Sequence, residues 1–137
     1  MSNDTIIESK LSDLLVFTDE LEQVINLSFE EYSKDFRNVR ASERSLLLMV
    51  EYATDIIAHI LVLRGLTPPS SYRDAFVRAG KESILTTELS EGLAELASLR
   101  NRLIHEYTKD YDQRRAYESL RPAPEYFRAF SRAITAL

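Results

Sequence analysis

Residues 89–107 read LSEGLAELASLRNRLIHEY, and this stretch sets the organisation of the chain. An apolar stripe with the spacing of one helix face begins with three leucines, Leu89, Leu93 and Leu96. At the same spacing the stripe continues to Arg100 and then to Leu103 and Tyr107. A guanidinium on a buried stripe is unfavourable unless it meets an anion or hydrogen-bond acceptors. This conflict between pattern and residue type makes Arg100 the first candidate for function.

Helical periodicity extends along the rest of the chain. It predicts helices over about 4–33, 38–64, 72–79, 86–106, 112–120 and 125–137. The polar segment 34–40 loses the period, so we expect a turn there. The sequence has no run of alternating β-branched residues and no Asn-Gly or Asp-Gly turn, which argues against a sheet. We therefore predict an all-α fold, an antiparallel bundle of about five helices, with residues 1–137 forming a single domain.

Cap residues predict where several of these helices begin and end. Gly65 follows the second long helix and suits its C-terminal cap. Ser70 or Ser71 can cap the short helix that follows the prolines. Asp110 or Asp112 can cap the next-to-last helix.

Composition limits the possible classes of function. The net charge of −5 argues against broad, charge-driven nucleic-acid binding, although a small local basic site remains compatible with it. Cysteine is absent, which excludes disulfides and thiolate chemistry. The N-terminus lacks the pattern of a signal peptide, and the longest apolar runs, 46–50 and 60–63, are too short to span a bilayer. We expect a cytoplasmic protein without membrane association.

Motifs for metal, phosphate or acyl chemistry are weak. Two histidines, no cysteine and no His-Glu-x-x-His spacing make a protein-held metal improbable. The three glycines are isolated, so the sequence predicts no glycine-rich phosphate-binding loop. It also contains no nucleophile-elbow motif whose serine could act with His105. We expect neither a metal nor a cofactor.

Asp55 and His59 lie four residues apart on the second long helix and can pair along it. The favoured interpretation is a buried polar pair that fixes helix register. The alternative is a supporting shell that orients Arg100 or the substrate.

Arg100 and His105 do not share a face of one straight helix. At about 100° per residue, five residues place the two side chains about 140° apart. Two arrangements can bring them together. Either the helix ends near Ile104 and His105 turns round, or two copies of the helix meet across a twofold axis and line one groove.

The segment Arg100-Asn101-Arg102-Leu103-Ile104-His105-Glu106-Tyr107 resembles the Arg-x4-His-x-Tyr motif of the HepT toxins, which are ribonucleases of the HEPN superfamily. The resemblance extends through Glu43-Arg44, the stretch 55–60 and the stretch 69–76, and covers about residues 40–120 in matching order.

This resemblance implies an all-α HEPN-like bundle that dimerises through the motif-bearing helices and cleaves RNA without a metal. It also implies a partner, a minimal nucleotidyltransferase of the MntA antitoxin type, which would silence the toxin by transferring AMP from ATP to Tyr107. Under this interpretation His105 is the acid/base residue, Arg100 holds the scissile phosphate, and Asn101 and Arg102 position RNA. The alternative is a non-enzymatic dimeric module that docks the nucleotidyltransferase and is modified by it.

Overall fold

The computed structural model describes residues 2–105 and 111–137, which form seven α-helices. The helices are α1 (Ser2–Ile25), α2 (Phe29–Lys34), α3 (Phe36–Leu63), α4 (Tyr72–Lys81), α5 (Thr87–His105), α6 (Gln113–Leu120) and α7 (Ala123–Thr135). No strand occurs in these two ranges, and the predicted all-α class is confirmed. α1 packs antiparallel to α3, since Lys10 in the first half of α1 reaches Asp55 in the second half of α3.

The first predicted helix, 4–33, is two helices, and the expected count of about five is therefore too low. The hydroxyl of Ser28 accepts a hydrogen bond from the Glu31 backbone N–H and begins α2. The residue directly after α2 is Asp35. Its carboxylate accepts a hydrogen bond from the Arg37 backbone N–H and caps the start of α3. The predicted turn over 34–40 is thus reduced to the single residue Asp35, because its side chain caps α3 directly after α2 ends.

Three predicted caps are confirmed. Gly65 has φ +77°, the left-handed conformation that ends α3. The Ser71 hydroxyl accepts from the Asp74 N–H at the start of α4. The Asp112 carboxylate accepts from the Arg115 N–H at the start of α6, whereas Asp110, its alternative, lies outside the described residues.

α3 is the central helix of the bundle. It packs against α1, α2, α4, α5 and α7, and buries residues such as Leu46, Met49 and Ile57 completely. An 18-residue window of α3 has a mean hydropathy of 1.9, so by length and composition this helix could cross a membrane. Half of that window is buried inside the bundle, which is the pattern of a core helix. Polar residues interrupt the apolar runs of α3, so the longest uninterrupted runs are much shorter than the helix itself.

α5 is held between α4 and α7. The Ser90 hydroxyl donates to the Phe76 carbonyl oxygen of α4 at 2.6 Å. Gly92 lets the Tyr126 ring of α7 lie against the α5 backbone, since a Cβ at this position would come within 2.2 Å of a ring carbon. These contacts anchor the N-terminal half of α5 and direct its C-terminal half, with residues 100–105, to the other end of the bundle.

Candidate functional site

Arg100 is a half-buried cation without a carboxylate partner among the described residues. Its guanidinium carbon lies over the Tyr72 ring, 4.2 Å from the centroid. Nη1 donates to the Asn101 side-chain oxygen at 3.1 Å. Nε is buried and has no hydrogen-bond partner in the described part of the chain. An arginine in this state has capacity left for an anion.

Arg100 and Asn101 line an open cleft of about 480 Å³. The other walls come from the middle of α3, from the segment between α3 and α4, and from the first residue of α4, and they comprise Thr54, Asp55, Ala58, Pro68, Pro69, Ser70, Ser71 and Tyr72. Residues with hydroxyl, amide and carboxyl groups therefore line the cleft together with Arg100 and two prolines. Such a mixed lining suits a polar ligand with an anionic group next to Arg100.

Asp55 and His59 do not form the predicted pair. Asp55 instead bonds to the Lys10 ammonium of α1 at 3.3 Å, and no hydrogen bond or ion pair joins it to His59. Tertiary packing of α1 supplies a stronger partner than the neighbouring imidazole. Asp55 lines the Arg100 cleft and His59 does not, so the structure brings together only Arg100 and the first of these two.

His105 is exposed and lies on a different face of α5 from Arg100. His105 is the last residue of α5 in the described part of the chain and still has helical geometry there. Within one chain the two side chains therefore remain about 140° apart. Ile104, beside them, keeps 45% of its surface exposed. Tyr107 lies outside the described residues.

Arg102 lies on yet another side of α5. It lines a small pocket of about 70 Å³ between α5 and α6, opposite a second arginine, Arg115. Asn101 is in the Arg100 cleft, whereas Arg102 is not. The two residues predicted to position RNA together are therefore separated, because neighbouring residues point about 100° apart on a helix.

Glu43 is a buried carboxyl that the sequence drew attention to only through the family resemblance. It is 8% exposed, accepts a hydrogen bond from the Tyr111 hydroxyl at 2.6 Å, and lies 3.6 Å from the Arg40 guanidinium. Burial raises the pKa of Glu43, and burial together with the bond to Glu43 raises the pKa of Tyr111. This bond attaches the chain directly after residue 110 to α3. A charged residue at an apolar stripe position between Val39 and Leu46 was the available sequence signal.

Metal chemistry receives no support from the described side chains. No three His, Cys, Asp or Glu residues among them lie close enough to hold an ion.

Comparisons with known proteins agree with the fold. The sequence profile of the HepT-like family, described as ribonuclease HepT-like, matches residues 14–134. The chain is 35% identical to a tRNA nuclease HepT of Aphanizomenon flos-aquae (strain 2012/KM1/D3) over 131 residues, which cover 94% of this chain and 87% of the relative.

Two solved structures share the fold. One is a tri-AMPylated Shewanella oneidensis HEPN toxin in complex with its MNT antitoxin, with a TM-score of 0.85, 25% identity, and coverage of 96% of this chain and 98% of the other. The second is a toxin–antitoxin complex with AMP-PNP, with a TM-score of 0.86, 24% identity, and coverage of 97% and 99%.

Proposed function

Since the chain belongs to the HepT-like family of ribonucleases, we propose that it is a metal-independent endoribonuclease toxin whose site is built from Arg100 and His105. The observation that carries the proposal is Arg100 itself. Its guanidinium is half-buried and has no carboxylate partner among the described residues, and the residue lines a polar cleft. Since the relative from Aphanizomenon flos-aquae is a tRNA nuclease, tRNA is the RNA class to test first.

In the proposed reaction His105 serves as the acid/base residue. The ribose 2′-OH loses its proton and its oxygen attacks the neighbouring phosphorus, while the bond from phosphorus to the 5′-oxygen breaks and that oxygen receives a proton. An imidazole titrating near neutrality can carry out either proton transfer. Arg100 would donate to the phosphate oxygens as negative charge develops on them, a role that its position in the wall of the cleft supports. Asn101, hydrogen-bonded to Arg100, would help to orient RNA at the same cleft.

The proposed active unit is a homodimer. One straight helix cannot aim Arg100 and His105 at the same phosphate, whereas two copies related by a twofold axis can. Ile104 lies beside both residues with almost half of its surface exposed, which favours an apolar contact on this face.

A nucleotidyltransferase antitoxin is the proposed partner. The Shewanella oneidensis neighbour is an AMPylated toxin in complex with an MNT antitoxin. By analogy Tyr107 would receive AMP, which adds bulk and a negative charge where the RNA phosphate must bind. The competing function, a non-enzymatic module that only docks this partner, would suit a sealed Arg100. The open cleft beside Arg100 and the exposure of His105 favour the nuclease.

The decisive experiment measures tRNA cleavage in EDTA by the wild type and by His105→Ala. We expect the wild type to cleave and the variant to lose about 10²–10⁴-fold in rate. His59→Ala is the matched control, because this second histidine is outside the Arg100 cleft, and it should retain activity. Equal rates for the wild type and His105→Ala would remove His105 from the mechanism, and dependence on a metal ion would contradict the metal-independent assignment.

Intact mass measurement tests the regulation. After incubation with the cognate nucleotidyltransferase and ATP, the mass should rise by whole AMP units, and Tyr107→Phe should prevent the first addition. Tyr111→Phe is the control, since the Tyr111 hydroxyl is occupied by Glu43. Modification of Tyr107→Phe to the wild-type extent would contradict Tyr107 as the acceptor.

A further inference from the structure

Within residues 2–105 and 111–137, Tyr72 is the one aromatic residue whose ring lies against the Arg100 guanidinium, and it is remote from the motif in the chain. It is the first residue of α4, 28 positions before Arg100. Its ring lies 4.2 Å from the guanidinium carbon, which is well within the distance at which a cation is attracted to an aromatic face.

Few other contacts hold the Arg100 guanidinium in the part of the chain that the structure describes. Its one hydrogen bond within the described residues goes to the adjacent Asn101, and its buried Nε has no partner. An unrestrained arginine side chain loses substantial conformational entropy when it is fixed in one geometry. The plane of the guanidinium therefore depends mainly on the Tyr72 ring.

The Tyr72 ring is itself well anchored. The Asp74 carboxylate accepts hydrogen bonds from both the backbone N–H and the hydroxyl of Ser70, while the Ser71 hydroxyl accepts from the Asp74 N–H. Directly after Tyr72, Arg73 donates to the Ala94 carbonyl oxygen and the Ser98 hydroxyl of α5. This capped turn fixes the start of α4 against α5, and the ring with it.

We propose that Tyr72 is a positioning residue for the ribonuclease reaction, and that it holds the Arg100 guanidinium flat against its ring so that the remaining N–H groups face the scissile phosphate. This inference rests on the proposed function. The ring contributes no proton and no bond to the substrate, and its hydroxyl makes no hydrogen bond within the described residues. A phenylalanine should therefore replace it, and an aliphatic residue should not.

The test compares three variants in tRNA cleavage. Tyr72→Leu should lower the rate about tenfold, as expected for loss of a partly desolvated cation–aromatic contact, and Tyr72→Phe should restore it to within about twofold. Phe29→Leu is the matched control, since Phe29 stacks under a different arginine, Arg114, at 4.8 Å. It should leave cleavage unchanged. Equal rates for Tyr72→Leu and the wild type would overturn the proposal.

A double-mutant cycle separates positioning from general packing. If Tyr72 acts through Arg100, Tyr72→Leu should have little further effect in an Arg100→Ala background. An equal further loss in that background would show that the ring acts independently of Arg100 and would refute the proposal. Loss of activity in Arg100→Ala with an unaffected Tyr72→Leu refutes the role of Tyr72 alone, whereas an unaffected Arg100→Ala refutes the proposed function.

Hydrogen exchange of the Arg100 Nε–H gives a readout that does not require cleavage. In the wild type and in Tyr72→Phe this buried proton should exchange slowly in ¹⁵N NMR spectra, and in Tyr72→Leu it should exchange rapidly. Assignment by comparison with Arg100→Lys identifies the signal. Unchanged protection in Tyr72→Leu would show that the ring does not hold the side chain.

Discussion

Two arginines at different places in the bundle differ in how completely their donors are used. Arg128 of α7 donates to both carboxylate oxygens of Glu22 at 2.7 and 2.9 Å and to Asp19 at 2.7 Å, and so ties α7 to α1. Arg100 of α5 has no carboxylate partner among the described residues and a buried Nε without an acceptor. An arginine that stabilises the fold has its anions within the chain, whereas an arginine with unused donors beside a cleft is suited to an external anion.

The largest expected effect comes from the arginine with unused donors. Arg100→Ala should reduce RNA cleavage by about 10²–10³-fold, the usual consequence of removing a donor to developing negative charge. The melting temperature should change little, because Arg100 makes no ion pair with any residue that the structure describes. Cleavage rates and thermal melts of the same preparations check both parts. Arg128→Ala is the matched control and should retain the cleavage rate. Loss of cleavage in Arg128→Ala with normal cleavage in Arg100→Ala would contradict the different roles assigned to the two arginines.

A second variant tests the buried carboxyl next to the motif end of α5. Tyr111→Phe removes the hydroxyl that donates to the buried Glu43 carboxylate, so it should destabilise the protein by about 1–3 kcal/mol. Denaturant unfolding measures this difference. Tyr126→Phe is the control, since its hydroxyl makes no hydrogen bond in the described residues. Equal stabilities of Tyr111→Phe and Tyr126→Phe would show that the Glu43 bond does not stabilise the fold.

A smaller effect is expected for Arg128, whose anionic partners Glu22 and Asp19 lie within the chain. Arg128→Ala should lower the melting temperature by about 2–4 °C, because the network is bidentate but borders solvent. Arg132→Ala, on the exposed side of the same helix, provides the comparison and should have almost no effect. A melting temperature of Arg128→Ala equal to that of Arg132→Ala would mean that the α1–α7 network contributes no measurable stability.

The smallest expected effect is the pH dependence of the stability that Glu22 contributes. The hydrogen bond from Arg128 holds the pKa of Glu22 below its usual 4.5. An acid with a lowered folded-state pKa stabilises the fold above its unfolded-state value, and this stabilisation is lost as the pH falls through the folded-state pKa. The difference in melting temperature between the wild type and Glu22→Gln should therefore be present at pH 6 and shrink as the pH falls below 4.5. A difference that is the same at pH 6 and pH 3 would contradict this assignment.

Local pattern was a good guide to some parts of the site and misleading for others. The stripe through Leu93 and Leu96 continues to Arg100, which the structure shows as half-buried. The spacing of Asp55 and His59 suggested a pair, yet Asp55 bonds to Lys10, 45 residues away. Adjacent positions suggested that Asn101 and Arg102 act together, yet they line different pockets. Spacing along a helix fixes which residues can meet, and packing of the other helices decides which ones do.

The sequence alone determined the all-α class, the main caps and the family, because helical periodicity and capping act over three or four residues and the motif is continuous in the chain. Only the tertiary structure decided that Tyr72 stacks on Arg100, that Tyr111 bonds to Glu43 across 68 residues, and that Arg128 reaches Glu22 across 106. Such contacts depend on how whole helices cross and on which side chains burial brings together, and neither is encoded in the spacing of any one segment.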